Sequence, residues 1–176
     1  TRILKANPMN APQVADGILA QDIWHKYQPF PIAMLCERIG FFQHALENYN
    51  DLSDVKRVIT NTHVINPDFI ANYFGTIRPE DQLEVLDELI RSNPRGNIML
   101  CANVAARYTD SMGGPKKVIP VFEKVTQVPD SLFYYLAAII HTSDVPDVHN
   151  RSIEVSVQLR QFDDAHTVTR DSTYYN

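Results

Sequence analysis

Apolar residues recur at i, i+3, i+4 and i+7 almost from one end of this chain to the other, which is the spacing of one buried face of a helix. Ile32, Leu35, Cys36 and Ile39 form one such stripe, and Phe42, Ala45, Leu46 and Tyr49 form another directly after Gly40. A lone glycine between two stripes is what a tight helix-to-helix turn requires, so the two together predict a helical hairpin. Further stripes fall at Val55, Val58 and Ile59; at Phe69, Ile70, Tyr73 and Phe74; and at Leu83, Leu86, Leu89 and Ile90. The pattern continues at Ile98, Cys101, Ala105 and Tyr108, and at Leu132, Tyr135, Leu136, Ile139 and Ile140.

The prolines agree with this periodicity, because proline is tolerated at the first position of a helix, where the missing N–H would have no partner anyway. Asn66-Pro67-Asp68 is the clearest start signal: Asn66 can cap free amides, Pro67 presets φ, and Asp68 complements the positive end of the helix dipole. Asn10-Ala11-Pro12, Arg78-Pro79-Glu80 and Pro129-Asp130-Ser131 resemble it more loosely. The expectation is about ten short helices joined by brief turns. Such a series folds either as a globular bundle or as a stacked α-solenoid, and its even spacing favours the solenoid.

Two places resist the pattern. Pro120 lies inside the helical run from Lys116 to Val125, where it is expected to kink or split the helix. Ile153, Val155, Val157 and Leu159 alternate with polar residues as a strand would, yet Val155, Leu159 and Phe162 also fit a helical face. A lone strand would have nothing to pair with, so helix is the expectation there.

Composition narrows the function. The chain has 176 residues, 44% of them hydrophobic, enough to fold around a core without staples. A formal charge of -5, with 16 basic residues scattered among 21 acidic ones, argues against nucleic acid as a partner. Cys36 and Cys101 sit among apolar neighbours and read as reduced core thiols. No apolar run has the length of a membrane span and the first residues lack a signal peptide's apolar stretch, so the expectation is a soluble, cytoplasmic protein and no membrane insertion. Asn150-Arg151-Ser152 is a glycosylation sequon that would matter only in a secretory compartment. The first residue is Thr1 rather than methionine, and neither end has a tail-like composition, which suggests a piece of something longer.

Candidate chemistry is sparse. His44 and Glu47, and Asp163 and His166, are each three apart and could offer two metal ligands on one helical face, but two ligands do not make a site. Asp144-Val145-Pro146-Asp147-Val148-His149 gathers two carboxylates and an imidazole, and reads as a turn and cap before the next helix because it lacks the spacing of a calcium loop. Gly113-Gly114 before Pro115, Lys116 and Lys117 lacks the full phosphate-binding motif and a preceding strand, and reads as an inter-helix loop. No serine or cysteine stands in a nucleophile elbow. Trp24 and Tyr27 are assigned to the space where the chain enters the hairpin beginning at Phe30. No catalytic, cofactor-binding or metal residue is assigned.

From Asn10 to Leu19 the chain reads Asn-Ala-Pro-Gln-Val-Ala-Asp-Gly-Ile-Leu, a run that is similar to a segment of the leg in the clathrin heavy chain family. The likeness continues through Leu35-Cys36-Glu37-Arg38-Ile39-Gly40, His44-Ala45-Leu46-Glu47, Asp51-Leu52, Asp54-Val55-Lys56-Arg57, Asn72-Tyr73-Phe74-Gly75, Leu132-Phe133-Tyr134-Tyr135-Leu136 and Asp144-Val145-Pro146-Asp147-Val148-His149. Gln28-Pro29-Phe30-Pro31, Gly113-Gly114-Pro115, Pro120 and the stretch after Arg151 depart from the family's pattern, as in a divergent homologue.

The resemblance implies an all-α fold, an α-α superhelix of short stacked hairpins. It implies one continuous solenoid over residues 1–176, from the distal leg, with a junction of two longer repeats near Ile77 to Glu80. It further implies a structural role without enzymatic activity or cofactor: other heavy-chain legs as partners in a triskelion lattice, at the cytoplasmic face of coated pits and vesicles, in endocytosis and intracellular transport. Light chains and adaptors would bind regions outside this segment. A vacuolar sorting or tethering scaffold with clathrin-like repeats is the alternative from the same architecture, and a small helical metalloenzyme built on His44 or His166 the alternative from another class.

Overall fold

A computed structural model of the chain describes residues 28–172, and Gly17 besides. Among the described residues there is no strand, and ten helices of 7 to 15 residues follow one another. They are α1 (Pro29–Arg38), α2 (Phe42–Asn48), α3 (Leu52–Ile59), α4 (Pro67–Phe74), α5 (Pro79–Ser92), α6 (Pro94–Tyr108), α7 (Pro115–Glu123), α8 (Ser131–Ile139), α9 (Pro146–Gln158) and α10 (Phe162–Asp171). The fold is all-α, built of helical hairpins. Six of the ten helices open on a proline. Asn10-Ala11-Pro12, Trp24 and Tyr27 lie outside the described residues. No helix among them is long and apolar enough to cross a membrane.

The chain divides into two compact units, Thr1–Ile70 and Ala71–Asn176. In the first, α1 packs on α2 and α2 on α3, around Ile32, Ala33, Cys36, Ala45, Leu46, Val58 and Ile59. The turn at Gly40 forms as expected, with φ +82°. The Gly40 amide donates to the Glu37 carbonyl at 3.1 Å and the Phe41 amide to the Cys36 carbonyl at 2.8 Å, which is the Schellman closure of a helix end. Asn66 caps as read from the sequence, its Oδ1 accepting from the Asp68 amide at 2.8 Å.

In the second unit the extensive contacts join α5 to α6, α7 to α8 and α9 to α10, and then α5 to α7, α6 to α8 and α8 to α9. Each hairpin therefore rests on the next one along the chain, the neighbour-on-neighbour order of a solenoid. The centre holds Phe122 stacked on Tyr135, with ring centroids 5.0 Å apart and planes 4° from parallel. The Tyr135 hydroxyl meets Thr109 Oγ1 at 3.1 Å, so the buried phenol is paired.

Two buried amides seal turns that the apolar stripes did not foretell. Gln82 donates through Nε2 to the Ile77 carbonyl at 3.1 Å, and Asn97 donates to the Leu89 carbonyl at 2.7 Å. The first takes up a carbonyl in the turn between α4 and α5, and the second one in the last turn of α5, where backbone carbonyls run out of amide partners.

The helix is not split at Pro120, as α7 runs from Pro115 to Glu123 with the proline inside it. Its ring faces solvent, and the bond it removes would have ended on the carbonyl of Lys116, itself an exposed residue in the helix's first turn, where water can take the amide's place. The stretch Ile153 to Gln158 is helical, as the end of α9, with Leu159 at its C-cap and Val155 and Ser156 turned inward.

Candidate functional site

None of the groups singled out in the sequence assembles into a reactive centre among the described residues. His44 Nδ1 lies 2.9 Å from Glu47 Oε2, so this pair is a local contact within α2. Asp163 and His166 are exposed on α10, where their backbone carbonyls accept from Thr167 and Thr169 at 2.9 Å each. The described residues contain no group of three or more His, Cys, Asp or Glu side chains placed to hold a metal ion.

The Asp144–His149 segment does form a turn into α9, but Val145 stands at the N-cap and no side chain caps the helix. Asp147 meets Lys116 at 3.3 Å. His149 is 4% exposed and acts as a clasp: Nε2 donates to the Ser143 carbonyl at 2.7 Å, and Nδ1 lies 2.8 Å from the Ser172 hydroxyl at the end of α10. The carbonyl contact fixes the ring's proton on Nε2, and the serine can donate to Nδ1.

The glycine pair is a second Schellman closure. The Gly113 and Gly114 amides donate to the Asp110 and Thr109 carbonyls at 3.0 and 2.9 Å, so both N–H groups that a phosphate would need are already engaged. Lys117 folds back over Gly113, where a Cβ would stand 2.9 Å from its Nζ.

The most developed polar constellation is one the sequence reading did not name. Arg57 on α3 makes a two-pronged contact with Glu37 on α1, Nε and Nη2 each at 2.8 Å from a carboxylate oxygen, and reaches Asp54 at 2.7 Å through Nη1. The Tyr49 hydroxyl donates to the same Glu37 carboxylate at 2.6 Å. This node borders an open groove of about 780 Å³ lined also by Phe30, Met34, Arg38 and Phe42. The Asp54–Arg57 spacing of three was visible in the sequence, whereas Glu37 and Arg57 lie 20 positions apart and nothing in a stripe joins them.

The electrostatics of these groups point away from acid–base or nucleophilic chemistry. Hydrogen bonding to Arg57 holds Glu37 below its usual range, against a smaller opposing effect of burial. Burial and the Glu37 contact push Tyr49 up to about 12. Burial raises the Cys36 thiol to about 11, with the Glu47 charge adding to it, and raises Cys101 to about 12. Every shift moves the group further from neutrality, whereas general acid–base catalysis and thiolate attack need the opposite. What the node does is mechanical: it ties α3 to α1 across the hairpin.

No protein-family model matches the chain. Its sequence is 37% identical over 177 residues to the clathrin heavy chain of Dictyostelium discoideum. It is 38% identical over 176 residues both to the clathrin heavy chain of Drosophila melanogaster and to clathrin heavy chain 2 of Homo sapiens. Each comparison covers 100% of this chain, which spans about a tenth of the length of those relatives, 10% or 11%.

Proposed function

We propose that this chain, homologous along its whole length to a segment of clathrin heavy chains, is a structural piece of a heavy-chain leg that helps build the lattice of coated pits and vesicles. The observation that carries the reading is the full-length match to heavy chains of an amoeba, an insect and a human, at 37 to 38% identity with 100% of this chain covered. A hairpin array in which charged groups serve as ties supports a scaffold over a catalyst. The extended match also favours the coat over a vacuolar sorting scaffold, because relatives of the latter kind share architecture more than wording.

In this reading the segment belongs to the distal leg, with a boundary between two multi-hairpin repeats near Ile77 to Glu80. Its partners are other legs of the same kind, contacted through exposed helix faces at the cytoplasmic side of the membrane. Light chains and adaptors bind elsewhere on the longer protein. Single contacts of this sort are weak and gain strength by repetition across an assembly.

The test is a segment exchange. The matching stretch of the Drosophila melanogaster heavy chain is replaced by this chain, and the purified trimers are assembled in vitro and viewed by negative-stain microscopy. Closed cages are the expected result. Trimers that keep their helical circular dichroism but form no cages overturn the reading.

A further inference from the structure

We draw no further inference here: the strongest candidate, the exposed apolar pair Val157 and Phe162 flanking the Arg160 turn between α9 and α10, is an unpartnered face with nothing in the structure to show what covers it.

Discussion

The hairpins α1/α2 and α9/α10 close on the same backbone geometry with different residues. In the first, Gly40 takes the left-handed position at φ +82°; in the second, Arg160 takes it at φ +60°. The hydrogen bonds correspond one for one. The Arg160 amide donates to the Val157 carbonyl at 3.1 Å and the Gln161 amide to the Ser156 carbonyl at 2.8 Å, as Gly40 and Phe41 do to Glu37 and Cys36. Position by position, Cys36 matches Ser156 and Ala45 matches Ala165, and all four are buried. The difference lies in how each hairpin is secured. The α1/α2 pair buries Leu46 beside Ala45 and is anchored through Glu37 to Arg57 on α3, whereas α10 buries only Ala165 and is held at its far end by the His149–Ser172 clasp. One turn motif thus serves a hairpin locked by packing and another locked by a hydrogen bond.

That contrast is broken most directly at Leu46, which is 1% exposed. Leu46→Ala removes buried methyl groups and leaves a cavity, at a cost of about 3 kcal/mol. The matching residue in α10 is His166, exposed, and His166→Ala is expected to change stability by less than about 0.5 kcal/mol. Chemical denaturation of the two variants, side by side, checks both; equal losses would mean that α10 is packed as α2 is.

The clasp comes next in size. His149→Ala strips the Ser143 carbonyl of its donor and empties a buried site, for a loss of about 2 kcal/mol. Amide hydrogen exchange should accelerate in α10 and at the start of α9 while α1 and α2 keep their protection.

The features legible in the sequence are those that depend on local spacing. Val55, Val58 and Ile59 are buried as read, as are Leu132, Tyr135, Leu136, Ile139 and Ile140, and the Gly40 turn and the Asn66 cap stand where expected. In α5 Leu86, Leu89 and Ile90 are buried as read, but Leu83 is only half-buried while Gln82 and Val85 are inside, the glutamine being held by the Ile77 carbonyl at the preceding turn. The Arg160 turn was invisible, since arginine carries no signal for positive φ, and the Glu37–Arg57 tie joins residues that only folding brings together. The paired candidates His44–Glu47 and Asp163–His166 were correctly placed on helical faces, but spacing alone does not gather a third ligand.

The turns themselves give the next largest effect, and with opposite signs. A left-handed conformation costs an L-residue about 1 kcal/mol relative to glycine. Gly40→Ala should therefore destabilise by about that much and Arg160→Gly should stabilise by a similar amount. Thermal unfolding of the pair checks the prediction, and a loss on Arg160→Gly would show that the arginine side chain is worth more than the strain it imposes. A gain of about 1 kcal/mol is also expected from Ser156→Ala, because Ser156 Oγ is buried without a hydrogen-bond partner where the first hairpin has Cys36. Ser156→Cys, which copies the first hairpin, should gain likewise.

The smallest effect isolates the electrostatic tie of the first hairpin. Glu37 is ionised more easily in the folded chain than in the unfolded one, through its hydrogen bonds to Arg57. Its contribution is therefore complete above the unfolded carboxylate pKa of about 4.3 and fades as the pH falls through the lower folded value. Arg57 is half-exposed, so the pair is worth only about 0.5 to 1 kcal/mol at neutral pH. Glu37→Gln should lower stability by that amount at pH 7 and converge with the parent chain in acid. The α9/α10 hairpin, whose tie is the hydrogen bond between His149 and Ser172, supplies the internal control: its amide protection should not respond to Glu37→Gln at any pH in the series. A parallel loss in both hairpins would mean that the tie stabilises the whole chain and that the contrast between packing and clasp is not local.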